Sequence, residues 1–404
     1  MAYVPMGIEY LRKKLNDKRS RVLTRYKFYE MKDSTFDFNI STPPDLRYWN
    51  SCVGWCAKAV DSLADRLQFR TMRNDDFAMN EIFDLNNKDI LTDSAILSAL
   101  ISACCFVYIS ADEEGFPRLQ VIDGANATGV LDPITYLLNE GYAVLERDKN
   151  DKPTLEAHFL AGETIYYPKG EKPYSIKNPA PYPLLVPIIN RPDARREFGH
   201  SHISRACMSI TGSALRTIKR SEIAAEFYSF PQKYISGLSE EAEIDKWRAS
   251  MSSMLTFTKD EDGDKPTIGQ FTQQSMTPHL EQLKMFAALF AGETGLTLDD
   301  LGFATDNPSS AEAIKASHEN LRLTASKAQR TFGTGFLNVG YLAACLRDDM
   351  AYRREIIYNT QPIWRPVFEP DISQLAGIGD AMQKLQQSFP DYFTEEKLAD
   401  LTGI

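Results

Sequence analysis

Seven prolines fall between residues 168 and 198: Pro168, Pro173, Pro179, Pro181, Pro183, Pro187 and Pro192. Proline has no N–H to give a helix, and its ring clashes with the preceding turn. No long helix can cross this stretch, and an extended connector is the expected conformation. It divides the 404 residues into a mixed N-terminal half and a helical C-terminal half. At about 150 residues per domain, that length implies two or three domains.

In the first half, residues 6–30 read as a basic helix. Arg12, Lys13, Lys14, Lys18, Arg19, Arg21, Arg25 and Lys27 stand against Glu9, Asp17 and Glu30. A solvated helix face and a nucleic-acid contact both fit, and the solvated face is favoured. A second helix is expected from Tyr48 to Leu67, with Val53, Ala57, Val60, Ala64 and Leu67 on one apolar face. From residue 104 to 167 the period changes. CFVYIS, RLQVID, YAVLER and ETIYY are short, β-branched and aromatic, and turn signals such as Glu114-Gly115 and Asp148 to Asp151 separate them. These predict antiparallel strands in an α+β region.

Beyond the connector the helical spacing returns. Residues 201–230 carry Ile203, Cys207, Ile210, Ala214, Ile218 and Ala225 close to one face, and Pro231 stops the helix. Residues 231–276 form an acidic insert with a strand at YISG, a helix at EEAEIDKWRASMSSML and a strand at TIGQFTQ. Its polar run KDEDGDKP lacks calcium-loop register, so an exposed turn is expected. Another helix is expected from His279 to Ala291, then the Gly-rich GETGLTLDDLGFATDNP. Connections are usually about four to six residues, and a longer one is usually functional or mobile. Ser309 to Glu312 has the pattern of a capping box opening a long helix. Gly333, Gly335 and Gly340 interrupt that helix's apolar stripe, which predicts a kink or close packing. Two shorter helices are expected after Pro362, Pro366 and Pro370.

Searching for chemistry yields little. There is no phosphate-cradling P-loop, no nucleophile elbow and no zinc-helix motif. His318 falls on an apolar stripe and reads as a packing histidine. His200 and His202 read as an exposed helix start, and Asp299-Asp300 as adjacent carboxylates that do not converge. The six cysteines make no C-x-x-C pair and are expected as buried free thiols of a reducing compartment. No signal peptide or membrane-spanning run is read. The expectation is a non-enzyme with no metal or cofactor, soluble and made in a cytoplasm. The net charge of −10 is the opposite of what a DNA-coating protein carries.

The order of parts is nevertheless recognisable in three stretches. The first is PDARREFGHSHISRACMSITGSALRTIKRSEIAAEFYSFPQKYISG (192–237), a long helix with a Glu-containing end, then Pro and a strand ending in Gly. The second is MFAALFAGETGLTLDDLGFATDNPSSAEAIKASHENL (285–321), with Thr-Gly-Leu, Leu-Gly and Asn-Pro-x-Ser-Ala-Glu-Ala between helices. The third is LRYWNSCVGWCAKAVDSLADRL (46–67). In these the chain resembles the siphovirus-type portal proteins of tailed double-stranded DNA bacteriophages.

The resemblance implies an α+β, mainly helical portal fold with wing, stem, clip and small crown, assembled as a dodecameric ring. By position, residues 1–200 would be the wing, 201–230 and 277–291 the stem helices, and 231–276 the clip. Residues 292–308 would be the tunnel loop, 309–346 the tunnel helix, 347–369 the returning wing and 370–404 the crown. The ring would sit at one vertex of the virion's capsid, having assembled in the host bacterial cytoplasm, with no membrane. Double-stranded DNA would pass through it during packaging and ejection. Its other partners would be the terminase large subunit, the head–tail adaptor, and the major capsid and scaffolding proteins. Candidate DNA-facing residues are Thr294, Leu296, Thr297, Leu298, Asp299, Asp300 and Asn307. An apolar loop tip of Leu296, Leu298 and Leu301 is expected, and removing residues 296–301 should then leave the ring intact. Candidate clip contacts are Glu240, Glu241, Glu243, Asp245 and Trp247, since Trp is enriched at interface hot spots. A mostly acidic or neutral channel suits DNA transport, because a strongly basic sleeve would hold the duplex by counterion release.

Overall fold

The computed structural model describes residues 3–32, 51–229, 233–236, 267–270, 275–303, 316–368, 380–384 and 387. These form a mixed α/β structure. The N-terminal part holds helices α1 (Ile8–Glu30), α2 (Trp55–Ala64), α3 (Met79–Leu85) and α4 (Lys88–Ser102). Strand β1 (Phe69–Arg73) lies between α2 and α3. After α4 come β2 (Cys104–Ala111), β3 (Pro117–Ile122), β4 (Ala127–Leu131), β5 (Leu138–Arg147), β6 (Pro153–Leu160), β7 (Glu163–Pro168), β8 (Tyr174–Lys177) and β9 (Leu185–Ile189). The C-terminal part holds α5 (Arg205–Ser229), β10 (Lys233–Ser236), β11 (Thr267–Gln270), α6 (Thr277–Thr294), α7 (Glu319–Arg347) and β12 (Gln361–Trp364).

The strands make four antiparallel sheets: β4-β5-β6-β7-β8, β3-β2-β9, β1-β12 and β10-β11. β2 is buried at its first six residues, Cys104 to Ile109. The reason is that both α4 and α7 pack on it, so no face is left for polar residues. The proline-dense segment is not merely a connector, because it contributes β8 and β9. β9 lies at the edge of its sheet, where Pro187 opposite Phe106 can omit its N–H. Local sequence pattern does not reveal β1, β4 and β6, nor α3 and α4.

The main core runs from α2–α4 through β2 and β9 to α5, α6 and α7. Its aromatic centre joins distant parts of the chain. The ring of Phe69 lies 5.4 Å from Phe336, 5.6 Å from Trp364 and 5.8 Å from Phe83. On α2 the buried face is Trp55, Cys56, Ala59, Val60 and Leu63, whereas Val53, Ala57 and Ala64 are half-buried. The helix is turned from its expected orientation because Trp55 and Leu63 bury more apolar surface than the alanines. α7 continues without a break past its glycines. A Cβ at Gly335 would sit 2.7 Å from Ile188 Cδ1, and one at Gly340 would sit 2.8 Å from Met79 Sδ. Close packing, not a kink, is what these positions provide.

α1 is only partly solvated, and several of its cations are engaged by distant parts of the chain. Leu11 and Leu15 pack on Tyr142 and Val144 of β5. Arg12 donates to Glu156 of β6 at 2.6 Å, Arg19 to Asp151 at 2.5 Å, and Lys14 to the Gly129 carbonyl at 2.8 Å. Ahead of it, the buried Glu140 accepts from the N–H groups of Met6 and Gly7, from Tyr3 and from His158. Five cysteines are buried; Cys52 is exposed, contrary to expectation.

The chain enters α5 through a tight elbow. The His200 N–H donates to the Asn190 carbonyl at 2.8 Å, and Asn190 Nδ2 donates back to the His200 carbonyl at 2.7 Å. Between them Gly199 has φ 72°, and a Cβ there would lie 2.1 Å from the Asn190 carbonyl oxygen. Gly199→Ala should therefore cost about 2–3 kcal/mol, from left-handed strain plus a forced backbone shift. A lowered urea midpoint with an unchanged slope would show it; an unchanged midpoint would mean that the elbow gives way freely.

Candidate functional site

The expected stem is a pair of helices whose geometry can be read from two bonds. Ser204, just ahead of α5, donates to Glu293 near the end of α6 at 2.7 Å. Thr217, further along α5, lies 3.1 Å from Gln282 of α6. Rising numbers on one helix meet falling numbers on the other, so the pair is antiparallel. Beyond its far end β10 and β11 pair in register, from Lys233 with Gln270 to Ser236 with Thr267. Strands expected at YISG and TIGQFTQ are therefore present. The helix expected between them, with Glu240, Glu241, Glu243, Asp245 and Trp247, falls on residues outside those described, as does KDEDGDKP.

The pair leans on the core through α6. Ala287, Phe290 and Ala291 are buried, with Phe290 5.6 Å from Trp55 of α2. Met285 and Leu289 on its other side are at least half accessible, as is Leu280, which lies in line with Ala287 and Ala291 but nearer the helix start. Apolar residues thus remain exposed on α6 opposite its buried face. Sequence periodicity missed this, because it looks for one stripe and α6 has two.

α6 ends at Gly295, whose φ of 77° lets its N–H reach the Ala291 carbonyl at 2.9 Å. Past it the chain makes a packed turn. The Thr297 N–H and hydroxyl both donate to Asp300 at 2.9 Å, and the Asp300 N–H returns to Thr297 Oγ1 at 3.2 Å. This is a capping box around one turn of 3-10 helix, Asp299–Leu301. His318 Nε2 lies 3.2 Å from the same carboxylate. Burial pushes the Asp300 carboxyl up, but the Thr297 donors and His318 pull it down further, to below its ordinary range.

The loop candidates are thus placed differently from one another. Thr294 is buried and bonded to the Phe290 carbonyl. Leu296 and Leu301 are buried in the main core, and Leu298 packs against it. The expected apolar tip is accordingly corrected: its leucines point inward, because burying them is worth more than exposing them at a loop end. Thr297 and Asp300 hold the turn together, and Asp299 alone of this group is exposed. Asn307 and the 309–312 capping pattern lie outside the described residues, so α7 is described only from Glu319. The same holds for most of the C-terminal region, where residues 380–384 are helical.

The histidines do other work than ligation. His200 is half-buried and bonded to Asp193 at 2.6 Å. His202 is buried, not exposed, and burial together with Arg191 lowers its pKa to about 4. His318 precedes α7 and is bonded to Asp300 rather than packed in a stripe. Among the described residues no group of His, Cys, Asp and Glu is placed to hold a metal, and no helix is long and apolar enough to cross a membrane.

No family model matches the chain. Two curated proteins do. The portal protein of Mycobacterium phage L5 is 23% identical over 382 residues, covering 89% of this chain and 77% of that protein. The portal protein of Mycobacterium phage D29 is 23% identical over 393 residues, covering 91% and 79%. Among solved structures, a chain of the virion of a native gene transfer agent particle aligns over 95% of this chain and 93% of its own, with TM-score 0.48 and 12% identity. One from the neck of the native particle, computed with C12 symmetry, aligns over 94% and 99% with TM-score 0.45 and 12% identity. The order of helices and strands noted in the sequence, and the likeness in sequence along nine-tenths of its length, make this chain a homologue of bacteriophage portal proteins.

Proposed function

We propose that this chain is the portal subunit of a tailed phage: a structural protein of the virion that forms a dodecameric ring at one capsid vertex. The observation that carries the reading is likeness to two portal proteins along nearly the whole chain and more than three-quarters of each relative. The physical character of the chain agrees with it. A closed ring is built from heterologous contacts, so each subunit needs two different adhesive faces. The exposed Leu280, Met285 and Leu289 of α6 are surface of the kind a neighbouring copy would cover.

On this reading the ring's channel passes double-stranded DNA inward during packaging and outward during ejection. α5 and α6 form the stem. The insert of residues 231–276 forms the clip, which meets terminase and then the head–tail adaptor, with Trp247 and its acidic neighbours as contacts. The remaining N-terminal part and α7 form the wing, and residues 370–404 a small crown. Capsid and scaffolding proteins meet the ring during assembly in the host cytoplasm. Of the loop candidates, Asp299 and Asn307 remain assigned to the channel wall. A net charge of −10 suits a channel that does not grip DNA.

Electron microscopy of the purified chain, with particle mass measured in parallel, tests the proposal. Top views should show a ring of near twelve-fold symmetry around a hole slightly wider than a DNA duplex. A compact monomer or dimer that persists at high concentration would count against it, and in favour of a head-assembly protein without a channel.

A further inference from the structure

A cleft of about 800 Å³ opens between α1 and the segment leading into α5. Its walls carry Lys14, Lys18, Arg21 and Arg25 from α1, and Arg195, Arg196 and Arg205 from the other side. Only Glu197 and Glu293 oppose them there. Glu197 is loosely paired with Lys14 at 3.8 Å, and Glu293 is taken by Ser204. Among the described residues, Lys18, Arg21, Arg25, Arg195 and Arg205 have no carboxylate partner. The Lys18 ammonium sits over two aromatic rings, Phe106 at 5.2 Å and Phe198 at 5.7 Å. The Arg25 Nε is buried and unbonded. Cations crowded in a concavity without counter-charge are costly unless an anionic group joins them.

The counter-charge is present elsewhere on the same chain. α4 ends at the cleft, where Ser102, Ala103 and Cys104 form part of its wall. At 1.5 Å per residue its 15 residues span about 22 Å. Its other end, with α3, is acidic: from Asn74 to Ala103 six carboxylates stand against Lys88 alone. Asp84, Asp89 and Asp93 are exposed there, around Leu85 and Ile90, which are 60% and 73% accessible. An apolar centre rimmed by charge is how protein interfaces are built, and a nucleic acid would have no use for it. The cleft supplies matching apolar wall at Val22, Phe198, Ala206 and Met208. With a helix length between them, the knuckle and the cleft of one chain cannot meet.

We propose that the acidic α3–α4 knuckle of one copy of this chain seats in the basic cleft of the next, as a lateral contact that repeats head to tail. The two surfaces differ, so the contact is heterologous and propagates around a ring. It rests on the ring-forming reading above, and it assigns that ring one pair of faces.

Charge reversal on exposed residues tests it in the full chain. One variant carries Arg21→Glu, Arg195→Glu and Arg205→Glu; the other carries Asp84→Lys, Asp89→Lys and Asp93→Lys. Each alone should lose self-association at least tenfold at low salt, read by sedimentation and microscopy. An equimolar mixture should recover it, because the basic knuckle of one variant then meets the acidic cleft of the other, while the natural acidic knuckle meets the natural basic cleft. Variants that assemble as the unaltered chain does, or a mixture of folded variants that stays apart, overturn the proposal. Rings that survive both reversals sink this contact and leave the portal reading standing, whereas an unaltered chain that never self-associates counts against both. A cleft variant that still assembles but loses retention of duplex DNA would give the cleft to nucleic-acid phosphates instead. As a check independent of charge, Ile90→Cys and Ala206→Cys in a Cys52→Ser chain should yield ladders of subunits with a short bismaleimide. Monomer alone after that treatment overturns the proposal equally.

Discussion

Excising residues 296–301 should cost the chain its cooperative fold, rather than leave an intact ring with a shortened loop. Leu296 and Leu301 are 7% and 8% accessible and belong to the main core, and Leu298 packs against it. Emptying a buried leucine site typically costs about 2–5 kcal/mol, so two such sites bring the loss to roughly 4–10 kcal/mol. The excision also removes Thr297 and Asp300, and with them the capping box and the bond to His318 ahead of α7. Domains are commonly stable by about 5–15 kcal/mol, so most or all of that reserve would go. The measurement is urea unfolding of the purified variant followed by circular dichroism. A transition at the midpoint of the unaltered chain would show that the turn is detachable, and would restore it as a candidate for a moving part. Asp299, whose side chain faces outward, is where the turn's charge can be altered with both leucines left seated.

The same turn shows where sequence reading stops. GETGLTLDDLGF has no sustained period, and without one nothing local says which way a leucine points. Gly295 and Gly302 in this Gly-rich segment are fixed left-handed caps, with φ 77° and 89°. Where period was strong, the sequence was legible: CFVYIS and RLQVID became β2 and β3, and the stripe at 201–230 became α5, as the helix expected at 279–291 became α6. β6 was invisible because its polar residues are buried or half-buried by partners distant in the sequence. Glu156 and His158 there serve Arg12 and Glu140, and α1 sits more than a hundred residues earlier in the chain. For the same reason the charges of α1 looked solvated, since their partners at Gly129, Asp151 and Glu156 are invisible to any local count. Of the candidate site, the antiparallel pair and its hairpin could be foreseen from spacing and from Pro231. Its cross-links could not, because Thr217 to Gln282 and Ser204 to Glu293 depend on how the two helices are rotated against each other.

Replacing Glu140 by alanine should be the most damaging single change on the N-terminal side. The carboxylate is fully buried on β5 and accepts from the Met6 N–H at 2.7 Å, the Gly7 N–H at 2.9 Å, Tyr3 at 3.0 Å and His158 at 2.7 Å. Its removal strands two backbone donors and a buried imidazole, and releases the strap that leads into α1. Removing one partner of a buried charged network costs about 3–5 kcal/mol. The pH dependence has a definite sign. Burial pushes the carboxyl up, but His158, the Met6 N–H, Tyr3 and the Gly7 N–H together hold it below its ordinary range. The folded carboxyl thus gives up its proton more readily than the unfolded one, whose pKa is about 4.3. Its stabilisation is complete above that value and is lost as pH falls through the lower folded value. Urea midpoints between about pH 3 and pH 7 should therefore fall more steeply on the acid side for the unaltered chain than for Glu140→Gln. Parallel acid limbs would mean that the strap is held by packing of Ile8 and Leu11 alone. A shallower limb in the variant would place the docking of α1, and with it the α1 wall of the basic cleft, under the control of one buried carboxylate.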